Sequence, residues 1–175
     1  MKGFTIFFAM LVGSLSLAIG LAIYDLTIRE LDLSATATQS QYAIYAADAG
    51  AECVLYWDAW WNGGGSAFAT SSQSAPPSSG ATCLGQDIIT DGTPPATYVP
   101  PSTSWENWAL TLDTDSATTT FTLGLGSTAT SACAVVEVGK EDQGGAIVTT
   151  IISRGFNVCA PNITPRVERR FEVRY

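Results

Sequence analysis

The stretch GFTIFFAMLVGSLSLAIGLAIY, residues 3–24, contains no charged side chain, and its reading decides the fold. About 22 residues at a rise of ~1.5 Å each reach across the hydrocarbon core of a bilayer. Gly13, Ser14, Ser16, Ala18 and Gly20 are small residues of the kind that let helices approach closely in lipid. Lys2 stands before the run and Asp25 after it, which matches an N-terminus held on the cytoplasmic side by its positive charge. Three fates fit such a run: a secretory signal that is removed, a membrane anchor that is kept, or a segment trimmed at its start and then kept. The residues beyond Tyr24 separate them.

From Asp25 to Trp61 there is no proline and a single glycine, Gly50. Tyr42, Ala46, Ala49, Cys53, Tyr56 and Trp60 recur at steps of three and four, which places them along one face of a helix. Gln41, Asp48, Glu52 and Asp58 fall largely elsewhere. The spacing predicts one helix over residues 4–61, apolar all round in 4–33 and amphipathic in 34–61. The glycines of NGGGS, residues 62–66, end it. A secretory signal has no need of an amphipathic helix continuing from it, and the apolar run passes its best cleavage site, Ser16-x-Ala18.

Residues 62–118 are rich in Ser, Thr, Pro and Gly, with Pro76-Pro77, Pro94-Pro95 and Pro100-Pro101, and are expected to form loop with short extended pieces, pinned by Cys83. Residues 119–175 read as β-structure. TFTLGL alternates Phe121, Leu123 and Leu125 with small or polar neighbours, and CAVVEVGK and AIVTTIIS flank the turn signal EDQGG. VERRFEVRY alternates strictly, with Val167, Arg169, Phe171, Val173 and Tyr175 on one face and Glu168, Arg170, Glu172 and Arg174 on the other. The expected fold is α+β: a long N-terminal helix whose amphipathic half packs on a C-terminal antiparallel sheet of three or four strands.

The net charge of −8, with only 8 Lys and Arg, argues against nucleic acid as a partner, because phosphate neutralisation needs clustered cations. The chain has no histidine, which removes Ser-His-Asp and Cys-His catalysis and the commonest zinc sites. Carboxylates are sparse and no glycine-rich phosphate loop follows a strand, so neither an enzyme nor a cofactor is expected. DTDS, residues 113–116, lacks the glycine and closing glutamate of a calcium loop. Cys53, Cys83, Cys133 and Cys159 are widely spaced and even in number, which reads as two disulfides in an oxidising compartment. Three pairings are possible; the sequential one, Cys53–Cys83 with Cys133–Cys159, is favoured. Trp57 and Trp60 are expected in the core under the sheet, while Trp105 and Trp108 are equally suited to a binding surface. Arg154, Arg166, Arg169, Arg170 and Arg174 face an acidic helix in composition, and pairing between sheet and helix is the plain expectation.

A Lys-Gly-Phe start, an apolar helix turning amphipathic, a loop region and a C-terminal sheet together resemble a type IV pilin. QSQYAIYAADAGAECVLYW, residues 39–57, resembles the helix of PilX-like minor pilins, with Ala46, Ala47, Asp48 and Ala49 as its Ala-Ala-acidic-Ala run. The resemblance covers roughly the first 60 residues well and the last 30 loosely. It implies a leader of residues 1–3, a prepilin peptidase that cuts after Gly3, and a methylated mature N-terminus at Phe4. It also implies other pilin subunits as partners through the N-terminal helix. The implied location is the inner membrane, single-pass, before assembly and the extracellular pilus afterwards. A surface or glycan ligand of the head would suit an adhesive role. Most pilins carry glutamate at the fifth mature position, where this chain has Phe8. That departure points to a minor or tip subunit rather than a major one. The alternative readings are a single-pass membrane-anchored extracellular binding domain that does not polymerise, and a major pilin subunit that forms the bulk of the filament.

Overall fold

The computed structural model describes residues 2–60, 66–70, 81–84, 86–87, 108–126, 128 and 130–175. Asn62 to Gly65 of the glycine stop, Trp61, Trp105 and the three proline pairs lie outside the described residues. One helix, α1 (Lys2–Leu55), runs without a break and closes in a π-helical turn, Tyr56–Trp60. The chain divides into two units, Met1–Thr38 and Gln39–Tyr175, and each is described by itself.

In the first unit every described side chain is exposed, from Phe4 through Thr38. Several polar side chains on this stretch bond locally. Ser14 Oγ donates to the Leu11 carbonyl at 2.9 Å and Thr27 Oγ1 to the Ile23 carbonyl at 2.9 Å. Arg29 pairs with Asp25 one turn back at 3.0 Å. Such back-bonded hydroxyls lower the cost of apolar surroundings.

The second unit holds a five-stranded antiparallel sheet in meander order: β3 (Trp108–Leu112), β4 (Ser116–Gly124), β5 (Cys133–Asp142), β6 (Ile147–Phe156) and β7 (Glu168–Arg174). A small two-stranded piece precedes it, β1 (Thr82–Cys83) with β2 (Gln86–Asp87). The α+β architecture with one long N-terminal helix and a C-terminal antiparallel sheet is therefore present. Two boundaries differ from the sequence reading. The sheet has five strands rather than three or four, and it begins at Trp108 rather than at residue 119, inside the span read as loop. WALTL is short and stands against a proline-rich stretch, which hides its alternation. Ser116 to Thr120 is a small and β-branched run whose inward side chains, Ala117 and Thr119, are too small to signal a core face. The turn between β5 and β6 is a hairpin in which Gly144 and Gly145 both take positive φ, and Gly145 N–H donates to Asp142 Oδ1 at 2.7 Å.

Strand register sorts the helix-facing side chains into rows across the sheet. Leu123, Ala134, Gly155 and Arg169 form one row, and Phe121, Val136, Ser153 and Phe171 the next. Thr119, Val138, Ile151 and Val173 follow, and then Ala117, Lys140, Thr149 and Tyr175. The helix lies against these rows through Ala43, Ala46, Ala47, Gly50, Ala51 and Val54, all buried. A Cβ on Gly155 would sit 2.8 Å from Ala47 Cβ and closer still to the Ala43 carbonyl and the Ala47 nitrogen. A Cβ on Gly50 would lie 2.7 Å from Val136 Cγ2. Glycines on both elements thus let backbone approach backbone, which larger side chains forbid.

This contact corrects the expected face. Ala46 is buried, but Tyr42, Tyr56 and Trp60 are exposed and Asp58 turns inward. Side-chain size against a flat sheet, not hydrophobicity, selects the inner face: alanines fit at the Gly155 end where tyrosines do not.

Candidate functional site

The described residues present two regions with functional character, one in each unit. The first is the surface of residues 4–33. Phe4, Phe7, Phe8, Leu11 and Leu15 are all exposed, and so is every large apolar side chain onward to Leu33. Phe4 and Phe8 stand one turn apart on the same side, and Gly3 lies in the first turn. Gly13 and Gly20 have open space where a Cβ would be. The helix is long and apolar enough to cross a membrane by length and composition. A contiguous apolar surface of this extent is far larger than a soluble monomer normally exposes.

The second region is in the sheet-bearing unit. Two disulfides tie its loops to its regular elements. Cys53 on α1 joins Cys83 on β1 with Cα atoms 5.9 Å apart, and Cys133 on β5 joins Cys159, beyond β6, at 5.5 Å. The first therefore fastens the small β1–β2 piece to the end of the helix. Trp57 adds a hydrogen bond there, its Nε1–H donating to the Thr82 carbonyl at 3.0 Å, and Tyr56 packs edge-on against it at 5.2 Å. Beside this staple lies an open groove of about 310 Å³, lined by Glu52, Tyr56, Trp57, Leu84 and the Cys53–Cys83 bridge.

Asp58, in the π-helical turn that closes the helix, is the centre of a charged cluster that sequence reasoning did not find. Asp58 and Lys140 pair with side chains only 3% and 5% exposed. Asp58 also accepts from Ser66, from Tyr175 at 2.5 Å and from Thr149 at 3.3 Å. Burial by itself would raise the Asp58 pKa. The hydrogen bonds from Lys140, Ser66 and Tyr175 and the Lys140 charge outweigh it and hold the carboxyl below its ordinary value. Burial first, then the hydrogen bond to Asp58 and its charge, push the Tyr175 phenol up. Lys140, Thr149 and Tyr175 are neighbours in one row of the sheet, so the signal that could have revealed the cluster was strand register, not sequence spacing.

A second polar cluster stands at the other end of the helix–sheet contact. Buried Asn157 donates to Gln39 Oε1 at 2.6 Å and to the Pro165 carbonyl at 3.0 Å, and accepts from Val167 N–H at 2.6 Å. Arg169 Nε–H donates to Ser40 at 2.9 Å. Helix-to-sheet pairing exists, then, but Lys140 with Asp58 supplies its ionic part among the described residues. Arg170 pairs instead with Glu172 on its own strand, and Arg166 lies 3.9 Å over the Phe156 ring. Trp57 packs against the core, whereas Trp60 is exposed. Among the described residues no group of three or more His, Cys, Asp or Glu could hold a metal ion.

Compared with family models, with curated proteins and with solved structures, the chain finds no match in any of the three.

Proposed function

We propose that this chain is a structural subunit of a type IV pilus or related filament, a minor or tip pilin rather than the bulk subunit. The observation that carries the reading is α1 itself. One unbroken helix holds an exposed apolar half, residues 4–33, and a half buried under a disulfide-tied sheet. A filament subunit needs both. The apolar half waits in the inner membrane and then exchanges lipid for neighbouring helices, a step that small residues such as Gly13 and Gly20 favour. In this reading prepilin peptidase cuts after Gly3 and Phe4 becomes the methylated N-terminus.

Phe8 supports the minor or tip assignment. A carboxylate at that position would partner the buried amine of a neighbouring subunit, and a phenyl ring leaves such an amine without a partner, which is costly. A subunit with no neighbour ahead of it escapes that cost. We assign the adhesive ligand of the head to the groove beside Tyr56 and Trp57, since aromatic faces stack on sugar rings and Glu52 supplies an acceptor.

A second reading rests on the same exposed helix: a single-pass anchored binding domain that never polymerises. Intact-mass and N-terminal peptide analysis of protein from membranes and from sheared surface material separates the two. A mature chain starting at methylated Phe4 in the sheared fraction supports the filament subunit. A chain that keeps Met1 to Gly3 and stays in the membrane fraction eliminates it.

A further inference from the structure

Among the described residues the last strand leaves one side of the sheet open, and its pattern of charge specifies what fits there. Among the described residues, β7 pairs only with β6, so its outer side is a free edge. Thr149 and Tyr175 exchange both main-chain hydrogen bonds, at 2.8 and 3.1 Å, and Asn157 N–H donates to the Val167 carbonyl at 3.2 Å. In an antiparallel ladder this parity alternates. The main-chain groups of 167, 169, 171, 173 and 175 are therefore turned toward β6. Those of Glu168, Arg170, Glu172 and Arg174 are turned outward and unused by the sheet.

We propose that β7 is a self-complementary edge that pairs antiparallel with β7 of a second copy, about a two-fold axis through Phe171. In that register Glu168 lies opposite Arg174 of the other copy, and Arg170 opposite Glu172, each twice by symmetry. The residues brought opposite are those whose N–H and C=O groups point outward, so about eight main-chain hydrogen bonds form. Charge and hydrogen-bonding parity thus select the same register. A shift of two residues either way puts Glu168 against Glu172 and Arg170 against itself, or Arg170 against Arg174 and Glu172 against itself. In-register parallel pairing sets every charge against its like. A one-residue shift turns the unused groups toward residues already bonded to β6.

The other face agrees. Phe171 is 38% exposed at the edge. At the two-fold axis it meets its own copy in a non-hydrogen-bonded pair, where side chains come closest. Alternating charge on a strand edge normally discourages pairing. Here it discourages the neighbouring registers; a shift of four residues sets Glu168 opposite Arg170 or Glu172 opposite Arg174 again but halves the hydrogen bonds. The occupant this chemistry recognises is a second copy of the chain, joined through the sheet. The inference does not depend on the reading of the N-terminal helix.

The test uses the full chain in nanodiscs or detergent, with association followed by analytical ultracentrifugation. Glu172→Arg alone and Arg170→Glu alone each convert two attractive cross-strand pairs into repulsive ones, and each is expected to weaken association by ~30-fold. An equimolar mixture of the two variants restores association, because only the mixed pair sets opposite charges against each other. An effect confined to one chain cannot be rescued by mixing. Register is read by oxidising variants that carry one added cysteine each, with both native disulfides kept. Phe171→Cys crosslinks to itself, Glu168→Cys crosslinks to Arg174→Cys but not to itself. Association unchanged by Glu172→Arg, no recovery in the mixture, or self-crosslinking of Glu168→Cys overturns the proposal.

Discussion

Replacing Asp58 with alanine is the sharpest test of how the sheet is fastened to the helix. The Lys140 side chain is 5% exposed and its ionic partner is Asp58, so the substitution leaves a buried ammonium with no counter-charge. Breaking a buried pair on one side costs about 3–5 kcal/mol, against a total stability of roughly 5–15 kcal/mol for a domain of this kind. Thr149 loses an acceptor as well; Tyr175, half exposed, can turn to water at little cost. The assay is urea unfolding of the full chain in detergent, followed by tryptophan emission. Asp58→Ala is expected to lower the midpoint with an unchanged slope, since the surface exposed on unfolding stays the same. Adding Lys140→Met removes the stranded charge and is expected to recover most of the loss. A loss within ~0.5 kcal/mol for the single variant, or a double variant no better than the single, refutes the reasoning. The pH dependence follows from the directions of the two shifts. The Asp58 carboxyl is lowered from 3.8, so its contribution is full above that value and is lost as pH falls through the folded pKa. The Tyr175 phenol is raised from 10.0, so its contribution is full below pH 10 and is lost only at higher pH. Asp58→Asn should therefore flatten the acid arm of the stability profile below about pH 4.

Gly155→Ala drives a methyl into the Ala43–Ala47 backbone and should destabilise by about 2–3 kcal/mol in the same urea assay, while Gly139→Ala, whose nearest atom is the Thr150 carbonyl at 3.8 Å, should cost far less. Cys53→Ala with Cys83→Ala opens a bridge of sequence separation 30, and the loop entropy released predicts a loss of about 3–4 kcal/mol by denaturant titration. Tyr175→Phe removes one donor to Asp58 but leaves Lys140 paired, so the high-pH loss of stability should disappear while the midpoint at pH 7 moves by about 1 kcal/mol or less. Gly3→Asp should leave the chain uncut, so that intact mass retains residues 1–3 even where the unaltered chain is found trimmed.

The long helix was legible because nothing interrupts it: no proline and one glycine lie between Asp25 and Trp61. The β5–β6 hairpin was legible in EDQGG, since adjacent glycines supply the positive φ such a turn requires. The two faces of β7 were legible as well, for strict alternation separates Arg169, Val173 and Tyr175 toward the helix from the four outward charges. What escaped depended on contacts between distant segments. The period of three and four gave a helix, but its inner face was read about one residue off because aromatic weight marked Tyr42 and Tyr56 as core. The sheet instead accepts Ala43, Ala47 and Gly50 where its own row holds Ala134 and Gly155. Asp58 was placed off the expected inner face, since nothing local announces that Lys140, Thr149 and Tyr175 will converge on it. A buried charge is visible in sequence only when its partner is near.

The two polar clusters explain why the helix lies on the sheet in one register. Between them the contact is made of alanine, glycine and valine, and a slip of one helical turn, about 5.4 Å, would bring Ala46 or Val54 to the place of Gly50, where a Cβ meets Val136 Cγ2 at 2.7 Å. Gln39 and Asp58 are separated by nineteen residues of helix, about 28 Å at the usual rise. Asn157 and Thr149, which receive them, are separated by eight residues of strand, about 26 Å. The two spans match, so both clusters close together or neither does. A slip of one turn would take Gln39 from Asn157 and Asp58 from Lys140 at once, leaving the buried Lys140 without its counter-charge. Small residues let the surfaces approach, and the polar ends decide where they stop. Among the described residues, the place of the sheet on the second half of α1 is thus set by contacts of residues 39–58.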